Sequence, residues 1–169
     1  MDQNTDKEVE FTEKLKLFFI TQKIKIILIT GILLLILIFF SVIKIFQERE
    51  NALISEKFIQ ANIHLSSQNK EKSKEIYEKI IKRKNKFYSI LALNKIIEND
   101  LENSEEKIIN YFDTLQDLSI PPDQKDLLIF KKALYLIQIS KTEEGKNLLK
   151  KLSNSGSYLK NISDQILEN

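Results

Sequence analysis

Residues 26 to 43 read IILITGILLLILIFFSVI, eighteen consecutive uncharged and mostly apolar positions held between Lys25 and Lys44. At 1.5 Å per residue a helix of that length is about 27 Å long. That matches the hydrocarbon core of a bilayer, where a helix satisfies its own backbone polar groups. Lys23, Lys25 and Lys44 flank the run, and their aliphatic stems extend it at both ends. A cleaved leader would have a shorter apolar stretch followed by small residues, whereas Ile43-Lys44-Ile45-Phe46 follows here. The expected division is a tail over 1–24, a transmembrane helix over 25–45 and a domain over 46–169.

Orientation follows from the basic residues of the short flanks. Lys7, Lys14, Lys16, Lys23 and Lys25 precede the span, while Lys44, Arg49 and Lys57 follow it within twenty residues. The bias places the N terminus in the cytoplasm and the C-terminal region across the membrane, in the periplasm of a bacterial host. In the tail, Leu15, Leu17, Phe18, Phe19 and Ile20 sit between an acidic start and a basic end, the pattern of an interfacial helix.

The chain has no cysteine, which excludes a disulfide framework, cysteine-ligated zinc and cysteine lipidation. Its formal charge is +2, so bulk charge recruits no nucleic acid. Between Gly31 and Pro121 there is neither glycine nor proline, and apolar residues recur at helical spacing, as in Leu53, Phe58, Ala61 and Leu65. Polar clusters at 66–69, 84–86, 98–100, 119–123 and 153–156 mark the breaks. An all-α domain is expected, with its first helix able to run on from the membrane.

Three of the four alanines stand twelve residues before a small residue: Ala61 and Ser73, Ala92 and Ser104, Ala133 and Gly145. In an antiparallel hairpin such pairs face one another at the crossing and let the backbones approach. The frame places Tyr77, Ile108 and Leu149 four residues after the second small residue, and Ile80, Tyr111 and Leu152 seven after it. Three hairpins with one register resemble tetratricopeptide repeats, although the offsets between units are 31 and 41 rather than about 34. A helical solenoid of three hairpins needs a cap. Residues 157–167 supply it, with Tyr158, Leu159, Ile162, Ile166 and Leu167 on or near one face.

No catalytic, cofactor-binding or metal-binding constellation is legible. His64 is the single histidine, and no glycine-rich phosphate loop exists. His64, Asn94 and Lys95, just beyond the crossing alanines, are the expected lining of a partner groove. The basic run Lys79, Lys82, Arg83, Lys84 and Lys86 reads first as a helix C terminus, where cations complement exposed carbonyls.

A charged tail, one span and a small repeat domain resemble the bacterial ancillary subunit of the Sec translocon. Asp6-Lys7-Glu8-Val9-Glu10, Leu15-Lys16 and Phe18-Phe19 are similar to that family's N-terminal segment. The aromatic-glycine element before the span is replaced by Thr21-Gln22-Lys23. The resemblance implies a non-enzymatic inner-membrane scaffold with the Sec translocon and periplasmic chaperones as partners. The same architecture also fits a tether for another envelope complex, in division or outer-membrane assembly.

Overall fold

The computed structural model describes the backbone of residues 3–168 and the side chains of residues 13, 21–25 and 27–168. Seven helices follow in order: α1 (Gln3–Ser66), α2 (Lys70–Lys82), α3 (Tyr88–Glu98), α4 (Glu105–Gln116), α5 (Pro122–Gln138), α6 (Thr142–Asn154) and α7 (Lys160–Glu168). No strand occurs among the described residues. The contacts divide the chain into two units, Met1–Glu50 and Asn51–Asn169.

In the first unit α1 carries the apolar run, and none of its described side chains over 27–43 is buried. A helix apolar on every side has no face to turn to water. This one is long and apolar enough to cross a membrane. The side chains of the interfacial face expected at Leu15, Leu17, Phe18, Phe19 and Ile20 lie outside the described residues.

The second unit packs in chain order: α2 on α3, α3 on α4, α4 on α5, α5 on α6 and α6 on α7, with α2 also touching α4. The end of α1 joins through Phe58, whose ring centroid lies 5.6 Å from Tyr77 and 5.7 Å from Tyr88. Beside it the Tyr77 hydroxyl donates to Asn62 Oδ1 at 2.7 Å. One core runs from Ile54 to Leu128, with Tyr77, Ile80, Leu93, Ile96 and Phe112 sealed inside. A second forms around Phe130, Ala133, Leu149 and Leu152, against which Leu159, Ile166 and Leu167 close. In the capping segment Tyr158 and Ile162 point outward, and Ser163 takes the inward place instead. A small side chain there lets α7 lie close to its neighbour.

The turns after α1, α3 and α5 share one closure. Gln68, Asp100 and Ser140 adopt φ of 60°, 48° and 66°. The following N–H reaches back five residues each time, Asn69 to His64 at 2.8 Å, Leu101 to Ile96 at 2.9 Å and Lys141 to Leu136 at 2.8 Å. This Schellman closure, which satisfies orphan carbonyls at a helix end, is usually made by glycine. With only three glycines in the chain, polar residues fill the left-handed position.

Loop length decides how each hairpin crosses. Residues 67–69 join α1 to α2 and residues 139–141 join α5 to α6, whereas 99–104 join α3 to α4. Ala61, Ser73, Ala133 and Gly145 are all buried. Ser104 is not at a crossing: its side chain caps α4, accepting from the Lys107 N–H at 3.4 Å. The fourth residue of α4 is Ile108, buried where α2 has Ser73 and α6 has Gly145. The longer loop moves the register on by a turn: Ile108 is core as expected but takes the crossing place, and Phe112 and Leu115, four and seven residues after it, fill the places expected of Ile108 and Tyr111. Tyr111 is only half-buried, and its hydroxyl donates to Glu78 Oε1 at 2.8 Å.

The inserted residues are themselves anchored. Leu101 enters the core, and Glu102 accepts from Lys74 of α2 and Lys107 of α4, each at 3.1 Å. The Ser104 N–H adds a third bond at 2.9 Å. Burial opposes ionisation of Glu102, but the Ser104 N–H and the two ammonium groups outweigh it and hold the carboxyl down at about 2.

Candidate functional site

A groove opens between α3 and α5. Phe87 precedes α3, whose outer stripe runs Ile90, Leu91, Asn94 and Ile97, and α5 answers with Gln124, Leu127, Leu128, Lys131, Leu134 and Tyr135. Both stripes step by three and four residues, so each is one face of its helix. The opposite face of α3 buries Ser89, Ala92, Leu93 and Ile96, and that of α5 buries Phe130, Ala133 and Leu136. Packing of the inner faces therefore fixes the direction of the outer ones.

Two adjoining hollows of about 210 Å³ each occupy the groove, and Asn94 and Lys131 line both. The Lys131 ammonium donates to Asn94 Oδ1 at 2.9 Å and bridges the groove at its middle. The walls on either side are apolar and partly open to solvent, with Leu127 and Leu134 both 39% exposed and Phe87 62% exposed. Burial of Tyr135, followed by the carboxylates of Glu105 and Glu102, pushes its phenol up and keeps it neutral. Such a surface offers van der Waals contact along its length, a polar bridge at its middle and polar side chains, Gln124, Glu98 and Gln138, along its edges.

Of the residues expected from the sequence, Asn94 lines this groove. Lys95 does not; its ammonium pairs with Glu98 at 3.1 Å. His64 is half-buried at the end of α1, where its carbonyl accepts the Asn69 N–H. Among the described residues no group of three or more His, Cys, Asp or Glu could hold a metal ion.

No known protein family, curated protein or solved structure matches this chain.

The geometry shows which signal was overlooked in the sequence. Residues two before and two after a buried helical position lie about 200° away, on the opposite face. For Ala92 these are Ile90 and Asn94, and for Ala133 they are Lys131 and Tyr135, all groove residues. For Ala61 they are Ile59 and Ile63, which stand 55% and 59% exposed on α1. A step of three, which selected His64 and Lys95, falls instead on the flank.

Proposed function

We propose that this protein is a membrane-anchored, non-enzymatic scaffold that holds a protein segment in the α3–α5 groove. The observation that carries the reading is the pair of half-exposed apolar stripes on α3 and α5, left open beside a well-sealed core. Contiguous apolar surface of this kind marks an interaction site. An amphipathic or extended segment would fill it by the groove modes used for peptide recognition.

In this reading residues 26–43 span the bilayer, the tail is cytoplasmic and the domain lies across the membrane, by the lysine bias of the flanks. The hairpins α1–α2, α3–α4 and α5–α6 form a short solenoid capped by α7. Sequential packing and the closure repeated at Gln68, Asp100 and Ser140 support that arrangement. A place beside the Sec translocon, handing emerging segments to periplasmic chaperones, is the role that the tail and architecture suggest. Tethering of a division or outer-membrane assembly complex is the second reading.

The test is a photo-reactive residue at Leu127 or Leu134 of the full-length protein in its native membrane, with one at exposed Lys151 as the reference. Adducts at the groove positions and not at Lys151 support the scaffold. Translocon subunits or a chaperone among them favour the first role, and another envelope complex the second. Equal labelling at all three positions would discard the groove.

A further inference from the structure

Two exposed lysines, Lys84 and Lys86, stand in the turn between α2 and α3. From Lys79 to Ile97 the chain has six basic residues and no acidic one. Lys79 and Lys82 lie in the last turn of α2 and complement its carbonyls. Lys84 and Lys86 lie beyond the helix end, exposed, so that role does not account for them. Phe87 follows at once and is 62% exposed. Lysines grouped around an outward aromatic ring have the composition of a membrane-interface contact.

Two further facts bear on what this turn can touch. Asn85, inside it, donates to Asn51 Oδ1 at 2.6 Å, which ties the turn to α1. Asn51 is seven residues from Lys44, where the apolar run ends, and seven residues reach at most about 25 Å even when fully extended. A link that short leaves the turn free to reach the headgroups.

We infer that the α2–α3 turn docks on an anionic phospholipid surface, with Lys84 and Lys86 against lipid phosphates and Phe87 in the interface. The inference rests on the reading of residues 26–43 as a membrane anchor. Anionic lipid is the fitting occupant because no acidic residue lies between Lys79 and Ile97 in the chain and flexible lysines make point-charge contacts with phosphate. Phe87 also lines the end of the groove, so docking would place that end at the lipid surface.

The chain has no tryptophan, so Phe87→Trp in the full-length protein gives a single reporting indole. The protein is reconstituted into vesicles of phosphatidylcholine, with or without phosphatidylglycerol, containing brominated acyl chains. Docking predicts blue-shifted, bromine-quenched emission with phosphatidylglycerol, and loss of both changes on adding Lys84→Glu and Lys86→Glu. Tyr158→Trp, an exposed site on the capping segment, should stay unquenched. Solvent-like emission of Phe87→Trp in both lipids, or quenching that is the same with the two lysines reversed, would overturn the docking. Flotation of the protein with vesicles after an alkaline wash reports the anchor separately. Loss of flotation sinks the anchor and the docking with it, whereas flotation with an unquenched indole sinks the docking alone.

Discussion

A Cβ placed on Gly145 would stand 2.6 Å from the Ala133 carbonyl oxygen and 2.6 Å from Ile137 Cγ1. The Ile137 side chain can turn aside, but the carbonyl belongs to the α5 backbone and cannot. Helix propensity favours alanine over glycine by roughly 1 kcal/mol, and overpacking opposes it by about 1–3 kcal/mol. Gly145→Ala should therefore lower the stability of the detergent-solubilised protein in urea, and Gly145→Val more so. Gly31, with nothing within 4 Å of its added Cβ, provides the comparison. A midpoint unchanged by Gly145→Ala would contradict the close approach of α5 and α6.

Ser140 holds φ at 66°, a region that costs an L-residue roughly 1–2 kcal/mol relative to glycine. Its side chain is exposed, so its removal sacrifices little packing. Ser140→Gly should raise stability by about 1 kcal/mol after the added flexibility of the unfolded chain is subtracted. Thermal melting in detergent reads the gain, and a lowered melting temperature would refute the left-handed turn. Gln68→Gly, in the same closure after α1, should act in the same direction.

Glu102 is ionised against two lysines and a backbone N–H, and its carboxyl sits at about 2 where an ordinary glutamate has 4.5. A carboxyl depressed by folding stabilises fully above its unfolded value, and that contribution fades as pH falls toward the folded one. The wild-type chain should lose this increment between pH 4.5 and about 2, whereas Glu102→Gln should show no such component. At pH 7 the substitution should cost roughly 2 kcal/mol, since it leaves Lys74 without a charged acceptor. Parallel unfolding curves for the two proteins across that pH range would be incompatible with the arrangement.

Leu127 and Leu134 are partly exposed in the groove and lie outside the two buried cores. Leu127→Asp or Leu134→Asp should lower stability by about 1–2 kcal/mol, for the apolar area that each still buries, while abolishing photo-adducts formed from the neighbouring groove position. Ala92→Phe acts on the core instead. Ala92 is completely enclosed on α3, so the larger ring should overpack the middle of the domain by about 1–3 kcal/mol or more. Adduct formation that survives both leucine substitutions would show that partners bind elsewhere.

Periodicity and composition determined the class of fold. Eighteen uncharged positions between lysines define an apolar helix without reference to anything else in the molecule, because length and polarity are local properties. The unbroken helical spacing before Pro121 and the polar clusters at 66–69, 84–86 and 98–100 likewise place helix ends. Polar residues there hydrogen-bond the backbone locally and interrupt the apolar period. The turn at 139–141 was not marked by such a cluster, since Ile139 and Lys141 flank a single serine.

The tertiary structure decided which residues meet. Ala92 and Ser104 have the same twelve-residue spacing as Ala133 and Gly145, yet only the latter pair stands at a crossing. Three added loop residues bring Leu101 into the core and Glu102 between two lysines, and these carry α4 forward by a turn. The groove has the same origin. Leu127 and Leu128 are neighbours of one chemical kind, but one is 39% exposed and the other 2%. Sequence records that a helix has an apolar stripe; only the packing of α5 on α4 and α6 settles which part is covered and which part is left for a partner.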